Sequence, residues 1–276
     1  MIELPEAATI AGQLTKELDG AKIVSCTRGN SPHKFAFYNH TPEEYEKLTI
    51  GKKVGKSGHT GSCITTEIGN NLFLALGEGG EKITLHSDEK SIPKKHQLLV
   101  GFDDGRFLSV TVSGWGMASL FTHEELQNHR WIGKKVFSFE DGVIDKELFM
   151  EHVSRYGPTE KASLKYFIIT DPGINGVANG YLQDTLFNAK LHPKRPVGTL
   201  DKDEVENLYN ALCSTISDAI ARGGRDTEFD IYGNPGGYPK ILDSRSASNP
   251  CPTCGTPIEK IQYLGGACYF CPKCQK

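Results

Sequence analysis

Cys251-Pro252-Thr253-Cys254 and Cys271-Pro272-Lys273-Cys274 close the chain with 16 residues between them. Two Cys-x-x-Cys knuckles at this spacing let a short β-ribbon bring four thiolates around one tetrahedral Zn²⁺. The intervening residues suit such a ribbon. Gly255-Thr256-Pro257 reads as a turn, Ile258 to Tyr263 and Ala267 to Phe270 as two short strands, and Gly265-Gly266 as the hairpin tip. A disulfide framework is the competing reading. The first residues, with Glu3 and Glu6, lack the basic and apolar regions of a secretory signal, so an intracellular, reducing setting is expected instead. Cys268 either competes as a ligand or faces the ribbon core, and Cys26, Cys63 and Cys213 read as isolated, packed thiols.

Upstream of the ribbon, Arg225 to Ser248 is rich in Gly, Pro, Asp and Ser and reads as a long ordered loop. Before it, Val205, Leu208, Tyr209, Leu212, Ile216 and Ile220 recur at helical steps. Asp201 and Glu204 form a capping-box start, Leu200 and Val205 a hydrophobic staple, and Gly223-Gly224 the stop. A second helix is expected from about Asn175 or Gly176 to Ala189, with Leu182, Leu186 and Phe187 on one side. His192-Pro193-Lys194-Arg195-Pro196 holds two prolines and forces an extended turn between the two helices. From Lys22 to about Phe121 the pattern is β, as in Cys63 to Ile68, Asn71 to Leu76, Gln97 to Phe102 and Arg106 to Val112, with turns such as Asp104-Gly105. A sandwich or barrel follows, preceded by a helix over Glu6 to Leu14; the period changes past about Asp141.

Composition limits the function. The 276 residues suit two domains plus the ribbon. No stretch reaches the roughly 18 to 20 apolar residues that span a bilayer. A net charge of −3 and a pI near 6.3 exclude an indiscriminate polyanion binder, so any nucleic-acid site must be local.

Three motifs, in order, resemble one family. Met1-Ile2-Glu3-Leu4-Pro5-Glu6-Ala7-Ala8-Thr9 is similar to the start of the bacterial formamidopyrimidine-DNA glycosylase and endonuclease VIII family. Gly176 to Asp184, with Leu186-Phe187 and Leu191-His192-Pro193, resembles its helix-two-turn-helix element, and Cys251 to Gln275 its C-terminal zinc finger. The resemblance implies an α+β fold: an N-terminal β-sandwich at 1–125, a linker at 126–145, a helix-two-turn-helix domain at 146–240 and a zinc finger at 241–276. It further implies base-excision repair, with flipping of an oxidised base, cleavage of its glycosidic bond and nicking at the abasic sugar. The family's nucleophile is its N-terminal amine, which forms a Schiff base at C1′ of the deoxyribose; the adjacent glutamate moves protons to and from the sugar ring oxygen and the amine. The expected partner is damaged or abasic duplex DNA, bound by a monomer in the cytoplasm, at the nucleoid, with one Zn²⁺. The alternative is a catalytically inactive paralogue that binds damaged DNA or structured RNA.

Transferred residue by residue, the resemblance is incomplete. Glu3 occupies the catalytic glutamate's place, or is a solvated N-terminal acid. Ile2 stands where the family has its nucleophilic proline. Methionine is normally removed only before small residues, so Met1 is expected to stay, placing its amine about 3.3 to 3.6 Å of extended chain upstream; if Met1 is trimmed, the Ile2 amine stands in the usual position. Ser62 replaces a hairpin lysine, with Lys52, Lys53 and Lys56 nearby, and Glu78 replaces a probing methionine. Thr111 to Gly116 replaces the arginine-bearing wedge loop, leaving Trp115 either as a stacking residue or as a core tryptophan. Gly266 replaces the finger's phosphate-binding arginine, with Lys260 or the backbone of Gly265-Gly266 as its substitute. Asn179 aligns with a phosphate-binding asparagine, or is a helix-surface amide. Lys161, Lys165 and Arg225 are expected to supply charge toward DNA, and Ser31 to Phe35 joins a cation to an aromatic, or is a solvated loop.

Overall fold

The computed structural model describes residues 1–31, 33–77, 79–133, 139, 143–157, 159–170 and 173–276. Pro32 and Glu78, and much of the expected linker, lie outside the described residues. Packing divides the chain into two compact units, one made of residues 1–136 and 222–237, the other of 137–221 and 238–276. Residues 222–237 therefore belong with the first unit rather than with the helices before them. A boundary drawn along the sequence cannot register a segment that returns to an earlier core.

The first unit opens with α1 (Leu4–Leu18), followed by β1 (Ile23–Thr27), β2 (Ala36–Phe37), α2 (Pro42–Thr49), β3 (Val54–Thr60), β4 (Cys63–Ile68), β5 (Leu72–Gly77), β6 (Glu81–His86), β7 (Leu98–Phe102), β8 (Phe107–Val112), β9 (Gly116–Thr122) and α3 (His123–Asn128). The strands form two sheets, ordered β1-β7-β8-β6 and β2-β9-β5-β4-β3. The α+β class is as expected from the sequence. Helix α1 buries Ala7, Ile10, Ala11, Leu14 and Leu18, one helical stripe, in a core shared with Ile64, Leu76, Val110 and Leu120 from the sheets. Ile2 joins this core at 4% exposure, which fixes the chain's first turn to the sheets.

Two glycines let three chain segments meet. A Cβ on Gly79 would lie 2.0 Å from the carbonyl oxygen of Trp115, and one on Gly80 would lie 1.9 Å from that of Ser113. Without side chains, Gly80 donates its N–H to Trp115 O at 2.8 Å, and Gly79 O accepts the Ile2 N–H at 2.9 Å. Buried Glu81 completes the turn by accepting the Gly79 and Met117 N–H groups at 2.9 and 2.6 Å.

The second unit contains α4 (Lys146–Ser154), α5 (Leu164–Ile169), α6 (Asn179–Asn188), α7 (Lys202–Ala221), β10 (Glu259–Tyr263) and β11 (Gly266–Phe270). The start of α7 is the reciprocal cap read from the sequence: Asp201 N–H donates to Glu204 Oε2 at 3.0 Å, and Glu204 N–H to Asp201 Oδ1 at 2.8 Å. Its buried face carries Leu208, Leu212 and Ile216. The tip between β10 and β11 is Leu264-Gly265, both at positive φ, and Gly266 already pairs within β11. Gln183 of α6 grips that strand, donating to Ala267 O at 2.9 Å and accepting from Tyr269 N–H at 3.0 Å. Asp184 accepts the N–H groups of Ile241 and Leu242 at 2.9 and 2.8 Å and the Tyr238 hydroxyl at 3.1 Å. Burial nevertheless pushes its carboxyl above the usual carboxylate range.

Gly79→Ala is expected to cost about 1 to 3 kcal/mol, because the only relief of the Trp115 clash is a backbone shift. Gly58→Ala in β3, where an added Cβ meets nothing within 4 Å, serves as the control and should change stability by less than about 1 kcal/mol. Denaturant midpoints of the two variants distinguish the sites.

Candidate active site and metal centre

The α-amine of Met1 and the carboxylates of Glu3 and Glu6 converge on one arginine in the first unit. Arg225 is 5% exposed, Glu3 1% and Glu6 3%. The guanidinium donates from Nη1 to Glu3 Oε1 at 2.8 Å, from Nε to Glu6 Oε1 at 3.1 Å and from Nη2 to Glu6 Oε2 at 3.2 Å, while Nη2 also donates to Met1 O. The Glu6 contact is a two-pronged fork, which only arginine can make. The Arg225 backbone N–H adds a bond to Glu6 Oε1 at 3.0 Å. Gly224, at φ +90°, gives Glu6 room; a Cβ there would approach it to 2.9 Å.

Met1 remains at the surface, its side chain 40% exposed, and its amine donates to Glu228 Oε1 at 2.7 Å. Glu3 is thus not a solvated acid, and Arg225 is not a surface cation available to a polyanion. The expectation for Arg225 is corrected on that physical ground: two buried carboxylates already hold its charge. The Ile2 N–H is committed to Gly79 O and its side chain to the core. Sequence reasoning gave Glu6 no role and overlooked Glu228. Their only sequence signal is the run Gly224-Arg225-Asp226-Thr227-Glu228 directly after a helix stop, with an arginine and an acid three residues apart.

Trp115 is 45% exposed, which overturns the core-tryptophan reading. Its backbone is held by Gly80 while its indole faces solvent. Phe35 is exposed beside it in the fold, since Phe35 O accepts the Gly116 N–H at 2.9 Å, and the Lys34 ammonium stands 5.3 Å from the Phe35 ring centroid.

In the second unit, Asn179 is the first residue of α6, half-buried, with its Oδ1 buried and lacking a hydrogen-bond partner among the described residues. Gly266 lies against it; a Cβ there would come within 2.7 Å of Asn179 Nδ2. Lys165 is fully buried and donates to the carbonyls of Tyr263 and Gly266 at 2.7 and 3.4 Å, so it secures the hairpin tip and offers no charge to a ligand. Lys161 and Lys260 are exposed, with Lys260 Nζ 5.9 Å from the Tyr269 ring centroid.

The sulfurs of Cys251, Cys254, Cys271 and Cys274 all lie within 4.8 Å of one another, with Cys251 to Cys274 at 3.9 Å and Cys254 to Cys271 at 3.5 Å. Tetrahedral coordination at about 2.3 Å per bond requires sulfurs roughly 3.8 Å apart, so the donor set fits a four-coordinate thiophilic cation. Hydrogen bonds from the Thr256 side chain and backbone lower the Cys254 thiol to about 6, whereas the adjacent Cys254 pushes Cys274 up to about 12. Four thiolates this close need a cation between them. Cys268 is fully buried in the ribbon, outside this set.

Breaking the buried cluster by Arg225→Met should cost about 3 to 5 kcal/mol, since it leaves two carboxylates buried without their counter-charge. Chemical denaturation at neutral pH tests this, and a loss below about 1 kcal/mol would show the cluster to be open to solvent.

Residues 143–230 match the sequence model described as the formamidopyrimidine-DNA glycosylase H2TH domain. A formamidopyrimidine-DNA glycosylase of Listeria innocua is 25% identical over 283 residues, spanning 100% of both chains. That of Bacillus cereus is 25% identical over 279 residues, spanning 100% of this chain and 99% of the relative. Among solved structures, the Lactococcus lactis enzyme in complex with abasic-site DNA superposes with a TM-score of 0.83 at 23% identity. MutM in complex with DNA containing carbocyclic 8-oxo-G gives 0.84 at 24% identity, and each covers 99% of both chains. Among the described residues no helix is long and apolar enough to cross a membrane. The chain therefore carries an H2TH domain, is similar from end to end to formamidopyrimidine-DNA glycosylases and shares the fold of the solved ones.

Proposed function

We propose that the chain is a base-excision repair protein of the glycosylase and abasic-site lyase type, acting on oxidised or abasic sites in DNA. The observation that carries the reading is the exposed Met1 α-amine, 2.7 Å from a carboxylate and next in the chain to the buried Glu3 pair. The amine must lose a proton before it can act as a nucleophile, and the nearby carboxylate is placed to accept it. Met1 in this reading supplies the nucleophile, with Glu3 in the site behind it. Ile2 serves as an anchor, because its N–H and side chain are already engaged.

Asn179, with a buried amide oxygen lacking a partner and a glycine pressed against its nitrogen, is assigned to a backbone phosphate; either amide orientation leaves a polar atom for it. Lys161 and Lys260 add charge, and exposed Trp115 supplies a stacking face. The Cys₄ set holds one structural Zn²⁺, which fixes the ribbon that Gln183 docks onto α6. The working state is a monomer on duplex DNA in the bacterial cytoplasm, at the nucleoid.

A second reading, binding without turnover, is favoured by one observation: Arg225 occupies the carboxylate that the reaction would use. Borohydride reduction on abasic-site DNA separates the two. A covalent adduct that disappears when the N-terminus is acetylated is expected, with intact mass identifying the first residue. Tight binding without an adduct on any lesion selects the second reading. Asn179→Ala should weaken binding about five- to tenfold regardless of sequence, consistent with one lost hydrogen bond of about 1 kcal/mol. Elemental analysis should return one zinc per chain, and Cys254→Ser should lower that content and the melting temperature together.

A further inference from the structure

We infer that the first unit carries a second nucleic-acid surface, an aromatic and lysine platform for unpaired bases beside a lesion. The inference goes beyond the repair reading above and rests on it: the DNA it favours holds its damage in a bubble, a fork or a single-stranded gap. Phe35, Phe37 and Trp115 are 48%, 51% and 45% exposed, so three large rings stand in water. They lie at one edge of the five-stranded sheet, whose outer strand there is β2. That strand pairs in parallel with β9, Ala36 beside Gly116 and Phe37 beside Met117. Phe35 O accepts the Gly116 N–H at 2.9 Å, which sets Phe35 next to Trp115 at the head of the paired strands. Phe37 follows two residues on, along the same edge.

A buried glutamine ties together the segments that build this edge. Gln97, 5% exposed, donates from Nε2 to Ser31 O at 3.0 Å and accepts the Val112 N–H on Oε1 at 2.7 Å, while its carbonyl accepts the Tyr38 hydroxyl at 2.8 Å. Asn30 adds a strap, donating to Lys94 O at 2.9 Å and accepting the His96 N–H at 3.1 Å. The loops are thereby fixed before a ligand arrives, which spares a bound strand the cost of ordering them. Their charge is one-sided. Segments 28–40, 91–97 and 111–117 contain no Asp or Glu, in a chain whose net charge is −3. Lys34, Lys94 and Lys95 are exposed on them. The Lys34 ammonium lies 5.3 Å from the Phe35 ring centroid, within reach of the phosphate of a nucleotide stacked on that ring. Aromatic faces interleaved with cations suit a single strand, since every base has a π-face and every linkage a negative charge. A fully paired duplex cannot use such a surface. Stacking on both sides hides its base faces, and the gap left by one flipped base takes one ring, the part assigned to Trp115. Phe35 and Phe37 meet bases only where further nucleotides are unpaired.

The test measures binding of the full-length, metal-loaded protein to fluorescent DNA with one tetrahydrofuran abasic-site analogue, either fully paired or centred in an unpaired bubble of the same sequence. The bubble should bind at least fivefold more tightly. Phe35→Ala and Phe37→Ala, both at exposed positions, should each weaken bubble binding at least fivefold, the low end for one lost base stack, and leave the paired duplex within twofold. Lys34→Gln, Lys94→Gln and Lys95→Gln combined should flatten the log–log salt dependence of bubble binding by about 2, at about 0.7 per phosphate contact. Equal affinity for bubble and duplex overturns the inference, as do phenylalanine variants that change neither Kd or weaken both alike. A borohydride adduct on a natural abasic duplex would then keep the repair reading standing. No binding to either DNA ends both. A concentration-dependent dimer that Phe37→Ala dissolves assigns the edge to a second copy of the chain and also overturns the inference.

Discussion

One buried guanidinium organises the first unit. Arg225 is separated from Glu3 and Glu6 by more than two hundred residues of chain, yet its side chain satisfies both carboxylates and the Met1 carbonyl. Taking three charges out of water costs several kcal/mol per ion, and only near-complete hydrogen bonding offsets it. That requirement explains the geometry around it. Glu6 uses both oxygens, the arginine backbone N–H joins in, and glycine occupies position 224 because a side chain would strike Glu6. Such a cluster adds modest net stability, but it is intolerant of partial formation, so it pins the N-terminal turn to residues 222–237 within the unit.

That pinning sets up the amine. Ile2 is drawn into the core and bonded to Gly79, and the same glycine turn supports the loop that presents Trp115 to solvent. The first residue is thus held between a rigid anchor and a partly exposed carboxylate. The site differs from one with an uncommitted glutamate in the sign and placement of its charges: a balanced buried group behind the amine, and an acceptor at its side.

In the second unit, close approach performs the corresponding role. Gly266 has no side chain where Asn179 needs space, and Lys165, buried, uses its ammonium to hold the hairpin tip by backbone carbonyls. A lysine that looks in sequence like part of a basic surface is structural because three donors on one ammonium can satisfy a tight turn that otherwise exposes buried carbonyls. The Cys₄ cluster and the Gln183 bridge keep this turn in register with α6.

Much of the molecule follows from local patterns. The cysteine knuckles, the α7 cap at Asp201 and Glu204, the stripe of α1 and the alternating strands of the sheets are short-range features. Spacing and side-chain chemistry specify them without knowledge of distant residues, and they were legible at Cys251 to Cys274, at Leu208 to Ile216 and at Cys63 to Ile68. The roles of Arg225, Glu228 and Lys165 were not. Each depends on a partner far away in the chain, and a charged side chain reads the same in sequence whether it faces water or a buried counter-ion. Sequence by itself determined the first helix, the two long helices α6 and α7, most of the strands, the cysteine spacing and a resemblance to one family. Tertiary structure alone decided which charges are buried, which acid meets the amine and which tryptophan face meets solvent, because desolvation and close approach are properties of neighbours in space.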